Sequence, residues 1–204
     1  MGYRAYGKLC ACVRPRIALA GRTWRRRICY NSAMKGRISA VSDQHSVDIV
    51  SHSATQTVRV GQQIGRLLKP GDLVLLFGTF GVGKTHFSKG LAAAFGVSEA
   101  DVTSPTFVLV NTYRADKKHG HVAIHHIDLY RLEGGAADFD SIGLDELWDT
   151  DAICIIEWAE RISDTMPSEY LGIQIDHLSE TKRIMRITPH GPRYEPLLSI
   201  LRGR

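Results

Sequence analysis

The chain has 204 residues, 44% hydrophobic and 23% charged, which allows one α/β domain with a buried core plus an appendage and excludes a fibrous or compositionally disordered chain. No run of about 18 apolar residues is present to form a membrane-spanning helix. The formal net charge of +5 is uneven: ten of the 26 Lys/Arg and none of the 21 Asp/Glu fall in residues 1–42, leaving 16 basic against 21 acidic side chains, net −5, in the remainder. The basic balance therefore does not argue for nucleic-acid binding by the folded part.

Residues 1–46 read as a basic leader. Residues 1–42 within it are Arg-rich and acid-free, a composition open to several readings: an organelle transit segment, a basic arm that touches RNA or membrane, a disordered extension, or a start taken too early with Met34 as the later candidate. Three of the four cysteines, Cys10, Cys12 and Cys29, lie there. Cys154 sits in an apolar run and reads as a buried thiol. No disulfide framework or zinc pattern emerges, so a reducing compartment is the simple expectation.

The folded domain is expected over residues 47–204. Val58, Val60, Ile64, Leu67 and Leu68 recur at helical spacing, which predicts a helix over 55–68 capped by Thr55 or Thr57. Lys69-Pro70-Gly71-Asp72 reads as a turn. Residues 73–77 are all apolar, the pattern of a strand buried on both faces. A loop over 78–83 and a helix over 84–95 ending at Gly96 follow. Further strands are expected at 106–113, 122–127 running into Asp128, 152–156 ending at Glu157, 171–176 and 183–188. Helices are expected at 138–148, on the surface, and 196–201. The order implies an α/β fold, a P-loop NTPase-like sandwich with a central mixed sheet flanked by helices.

The segment Gly78-Thr79-Phe80-Gly81-Val82-Gly83-Lys84-Thr85 has the form GxxxxGKT. Gly78, Gly81 and Gly83 let backbone N–H groups converge on phosphate oxygens, with Val82 contributing its main chain. Lys84 supplies a cation to the β/γ-phosphates, and the Thr85 hydroxyl is a hard ligand for Mg²⁺. An apolar strand before it and a helix after it are the context that phosphate binding needs.

Hydrolysis needs a further carboxylate near the metal and an ordered water. Asp128 and Glu157 end apolar strands, where ligands of open α/β sheets bind; the competing reading is a merely solvated carboxylate. Thr103-Ser104-Pro105-Thr106-Phe107 reads by itself as a turn before a strand. His119, His121, His125 and His126 fit no zinc spacing and read as a strand with some exposed histidines. Trp148 and Trp158 read as packing residues. Thr181-Lys182-Arg183-Ile184 lacks the aspartate of guanine-recognition segments, so ATP is preferred over GTP. Arg131 and Arg161 stand alone, so no Arg-rich kinase lid is evident.

Four blocks in order resemble the TsaE family of tRNA-modification ATPases. They are the 76–85 loop, Val102-Thr103-Ser104-Pro105-Thr106-Phe107-Val108-Leu109-Val110, His126-Ile127-Asp128-Leu129-Tyr130-Arg131-Leu132 and Ile156-Glu157-Trp158-Ala159-Glu160-Arg161. The resemblance covers about residues 55–188 and implies a magnesium-dependent ATPase, slow alone, serving synthesis of N6-threonylcarbamoyladenosine in tRNA. By that resemblance Lys84 and Thr85 hold phosphates and Mg²⁺, and Glu157 is the Walker-B-type carboxylate. Asp128 would position water or the metal's shell, and Thr106 would belong to a switch. Trp158 would lie beside the site, Thr57 near the adenine, and Arg183 among the binding residues. The partners implied are TsaB and TsaD, with tRNA engaged through that complex and no membrane. A bacterial-type cytoplasm fits the family, and a mitochondrion or plastid fits the leader. Thr79, Phe80 and Val82 depart from the family's usual Gly-Asp-Leu-Gly-Ala-Gly-Lys-Thr. A P-loop small-molecule kinase is the alternative function, since one fold hosts both activities.

Overall fold

The structure, a computed structural model, describes residues 45–132, 143, 151–162 and 167–203. Residues 1–44 of the expected leader, and the expected helix over 138–148 apart from Gly143, lie outside the described residues.

Ten elements make up the described part. They are β1 (Val47–Ser51), α1 (Ala54–Gly65), β2 (Leu73–Phe77), α2 (Lys84–Ala93), β3 (Val110–Arg114), β4 (Ala123–Asp128), β5 (Ile153–Glu157), β6 (Tyr170–His177), β7 (Arg183–His190) and α3 (Glu195–Arg202), with short 3₁₀ turns at Lys117–His119 and Ala159–Ile162. The strands form one mixed sheet in the order β1-β7-β6-β2-β5-β4-β3. Its centre, β6-β2-β5-β4, is parallel, and antiparallel pairs finish both edges. The α/β class and the flanking helices are as the residue pattern implied.

Burial explains the central strands. β5 is buried at all five positions and β2 at four of five, as parallel strands covered on both faces must be. Val74, Leu76, Ile124, Ile153 and Ile155 join Phe87 and Leu91 of α2 in one core. Leu73, Leu75, Ile127, Cys154 and Ile156 face the opposite way, onto Leu129, Ala159 and Ile162. Each fully buried aliphatic side chain contributes about 1.5–3 kcal/mol. Cys154 is 1% exposed, and burial pushes its thiol up to about 12, so it stays an inert packing group.

Two expectations need correction. The cap of α1 is Ser53, whose side chain accepts from the Gln56 N–H at 3.2 Å, rather than Thr55 or Thr57. Ser53-Ala54-Thr55-Gln56 has the spacing of a capping box, and Gln56 Oε1 in turn accepts from the His52 N–H. The strand expected from residue 106 starts at Val110 instead. The N–H groups of Val108 and Leu109 both bond back to the Pro105 carbonyl, and Leu109 takes a left-handed φ of 66°. That turn overrides the strand propensity of Thr106-Phe107-Val108. β1 was not legible as a strand, because its five residues alternate only weakly in polarity; its pairing with β7 decides it.

The C-terminal segment ties to the start of β2. The Leu73 N–H donates to the Tyr194 hydroxyl at 2.7 Å, and Arg193 pairs with the buried Asp72. Helices α1 and α2 touch backbone to backbone: a Cβ on Gly90 would stand 1.8 Å from the Val58 carbonyl oxygen, and one on Gly61 2.2 Å from that of Phe87. This contact carries Thr57 to the flank of the 78–85 loop. Gly90→Ala forces the helices apart and is expected to lower unfolding free energy by about 3 kcal/mol, measured by denaturant titration.

Candidate functional site

The loop between β2 and α2 is built on left-handed backbone, with φ of 135° at Gly78, 71° at Gly81 and 112° at Gly83. Side chains rarely adopt these angles. Gly83 is the N-cap of α2 and no side chain caps the helix, so its first N–H groups and dipole are left for an anion.

Lys84 is 5% exposed. Its Nζ donates to the carbonyls of Gly78 and Thr79, at 2.5 and 3.1 Å. It also lies 3.7 Å from the centre of a Trp158 ring, a cation–π contact. Burial holds the ammonium below its ordinary value, offset in part by the carboxylates of Glu157, Glu160 and Asp128. Trp158 itself has a left-handed φ of 61°; for a bulky residue that conformation costs about 1–3 kcal/mol. Trp158 is half-buried and its ring meets Tyr130 at 4.9 Å, while Tyr130 meets Phe80 at 5.8 Å. The expectation of a plain packing residue is thus incomplete: the strained backbone aims the ring at the loop lysine.

The two strand-end carboxylates stand side by side. Asp128 and Glu157 are partners in the parallel β4–β5 register, each 2% exposed. Glu157 Oε2 accepts from the Thr85 hydroxyl at 3.1 Å. Its Oε1 accepts from Ser88 at 3.0 Å and meets His126 Nε2 at 2.7 Å. Asp128 Oδ2 accepts from Ser104 and Thr106 at 2.9 and 2.6 Å, and Oδ1 from the Tyr130 N–H at 2.9 Å. The 104–106 turn is therefore tethered to Asp128, while the next two side chains, Phe107 at 80% and Val108 at 63%, stand in solvent.

On the other flank lies a cleft of about 400 Å³ between the loop and the start of α1, lined by Ser53, Thr57, Val82, Gly83, His86 and Arg183 among others. Arg183 Nε donates to the Val82 carbonyl at 2.8 Å, and the Thr57 hydroxyl lies 2.8 Å from that of Ser51. So the expected residues divide into two groups around one loop. Lys84, Thr85, Thr106, Asp128, Glu157 and Trp158 gather at the strand ends; Thr57, Val82, Gly83 and Arg183 surround the cleft.

Residue-by-residue reading missed three groups. Ser88 lies one helical turn beyond Lys84, on the face turned to the sheet. Ser104 carries no role of its own in that reading, beyond its turn and its family-like block. His126 stands in a run of histidines that reads as a strand with some exposed, and it is the fully buried one. The period-2 rule could have found it, since His126 shares a strand face with Asp128. His119 and His121 are exposed, as expected, and His125 is half-buried.

The donor set suits Mg²⁺. Thr85, Glu157 and Asp128 present hard oxygens, with no sulfur among them. Among the described residues, no group of three or more His, Cys, Asp or Glu forms a ready-made metal cage. The desolvated Lys84 also has a signature in nucleotide-free protein. Folding costs most while the lysine is charged in both states. That cost falls as pH climbs past its lowered folded value toward the ordinary 10.5, because the unfolded chain then binds more protons. Unfolding free energies of wild type and Lys84→Met should therefore shift in the wild type's favour between neutral pH and about 10.5, checked by denaturant titration at several pH values.

The family model described as threonylcarbamoyl adenosine biosynthesis protein TsaE matches residues 51–185. The tRNA threonylcarbamoyladenosine biosynthesis protein TsaE of Treponema pallidum is 40% identical over 134 residues, 66% of this chain and 94% of that protein. Its counterpart in Bacillus subtilis is 35% identical over 142 residues, 70% of this chain and 85% of that protein. The crystal structure of YdiB from Bacillus subtilis superimposes with a TM-score of 0.62 at 29% identity, covering 76% of this chain and 93% of that one. The family model and these matches show the family: the chain belongs to the TsaE family.

Proposed function

We propose that this protein is a Mg²⁺-dependent ATPase of the machinery that makes N6-threonylcarbamoyladenosine in tRNA, working with TsaB- and TsaD-type partners. The observation that carries the reading is the convergence of Thr85, Glu157 and Asp128 beside Lys84 at the carboxyl ends of three neighbouring strands. The family membership and the names of the relatives support the pathway.

The residues divide the work. Backbone N–H groups of the 78–83 loop and the open end of α2 would receive the phosphates, and Lys84 would leave its carbonyl and ring contacts for their oxygens. Thr85 and Glu157 would hold Mg²⁺. The metal, when bound, neutralises phosphate charge and fixes the chain's orientation. Asp128 would orient the attacking water, and its bonds to Ser104 and Thr106 would couple the 104–106 turn to the γ-phosphate. Thr57 and Arg183 would border the nucleoside in the cleft beside the loop.

P-loop hydrolases without a stimulating partner run about three to five orders of magnitude below the stimulated rate, so slow turnover of the isolated protein is expected. Residues 1–46 would act as a leader and 47–204 as the ATPase domain. Its place of action is a bacterial-type cytoplasm, or a mitochondrion or plastid if the leader is a transit segment. Among the described residues, no helix is long and apolar enough to cross a membrane.

Lys84→Ala or Glu157→Ala, replacing the native gene, should lower threonylcarbamoyladenosine in bulk tRNA as read by mass spectrometry of nucleosides. Unchanged levels in a strain with no other copy would overturn the reading. Tagged protein with ATP should also recover the two partners, whereas phosphoryl transfer to a metabolite with normal tRNA would favour the kinase alternative.

A further inference from the structure

His126 is out of place as a core residue. It lies on the sheet face that carries Ile124 into the α2-side core, is fully buried, and has no role in the steps above. Its Nε2 is 2.7 Å from Glu157 Oε1. Its Nδ1, also buried, has no hydrogen-bond partner, and among the described residues it is the buried side-chain nitrogen or oxygen left without one. A histidine retained for packing alone would pair both nitrogens or give way to an apolar ring, since an unmade buried bond costs about 1–3 kcal/mol.

The orphaned nitrogen also settles the tautomer. With the proton on Nδ1, the Nε2 lone pair would point at a carboxylate oxygen at 2.7 Å, and an N–H would be buried unpaired. With the proton on Nε2, the ring donates to Glu157 and only a lone pair is left bare, the cheaper omission. The imidazole is therefore a one-sided donor.

The bonds to Glu157 split by oxygen. Oε1 takes both groups from the protein interior, His126 and Ser88; Oε2 takes only Thr85, the hydroxyl on the loop side. An arm of this kind, in which an inner donor pins one oxygen and turns the other outward, is how outer residues orient metal-binding carboxylates. We propose that His126 is a positioning residue: its Nε2–H anchors Oε1 so that Oε2 faces Thr85 and the phosphate loop in a fixed orientation. Ser88 is the second anchor, delivered from α2, so the carboxylate is clamped between β4 and the loop's own helix.

This inference rests on the reading of Glu157 as the metal-side carboxylate, and the experiment separates the two. The full chain is loaded with ADP and titrated with Mn²⁺, free Mn²⁺ being read by electron paramagnetic resonance. Nucleotide affinity in EDTA is measured beside it. His126→Phe keeps a ring without a donor; His126→Gln keeps an amide N–H able to reach the Nε2 position. The expectation is Mn²⁺ affinity weakened about tenfold or more in His126→Phe, metal-free ADP affinity within about twofold of wild type, and most of the loss recovered in His126→Gln. Equal Mn²⁺ affinity in wild type and folded His126→Phe overturns the proposal alone, as does failure of His126→Gln to recover. Should His126→Phe not fold, nitrogen-15 NMR of the wild-type ring decides: an Nε2-protonated, Nδ1-bare ring supports the proposal, and the opposite tautomer overturns it. No Mn²⁺ binding by ADP-loaded wild type overturns the metal-side reading of Glu157, and the proposal with it.

Discussion

A carboxylate sealed inside a protein survives as an anion only if its oxygens are matched by donors or cations, and Glu157 is the point where this fold meets that demand. It is 2% exposed, and isolating such a charge in an apolar interior is prohibitive. Thr85 and Ser88 from α2, His126 from β4 and the nearby Lys84 ammonium supply the match. Three of these groups come from α2 and one from the neighbouring strand. The carboxylate therefore does two jobs with one set of bonds: it ties α2 to β4 and β5, and it stands where a cation beside the loop would need an oxygen.

The same region stores tension. Trp158 holds a left-handed backbone directly after Glu157, and its ring covers the lysine that phosphates would recruit. Lys84 meanwhile spends its protons on two loop carbonyls. These contacts hold the lysine in place beside the loop, so an anion received there would exchange contacts rather than create order. On the opposite edge, Asp128 holds the 104–106 turn by two hydroxyls, leaving Phe107 stacked under Arg131 at 4.0 Å and exposed. A change at Asp128 is thus mechanically linked to a segment that faces solvent.

Close backbone packing sets the remaining geometry. The glycine contact between α1 and α2 places Thr57 against Gly83, and Arg183 at the start of β7 grips the loop at Val82. Two elements far apart in sequence thereby close the cleft beside the loop. The Phe80 and Tyr130 rings extend the aromatic line from the loop tip to Trp158; Phe80 is one of the residues by which this loop departs from the family's usual form.

What was legible in the residues was whatever depends on local chemistry. The run Leu73–Phe77, the glycine spacing, Lys84-Thr85 and the carboxylates closing two apolar strands each declare themselves within a few positions, because period and residue type reflect burial and phosphate chemistry directly. The sequence by itself thus determined the α/β class and marked the candidate site, the glycine-rich 78–85 loop and the carboxylates of Asp128 and Glu157. Only the tertiary structure decided the start of β3, the cap at Ser53, the strained aim of Trp158 and the burial of His126 and Ser88 against Glu157. Those depend on which strands lie side by side and which helix covers them. Two histidines adjacent in the chain, His125 and His126, are sent to opposite faces of one strand: His125 Nδ1 lies 2.9 Å from the Thr112 hydroxyl of β3, while His126 is buried against Glu157 of β5.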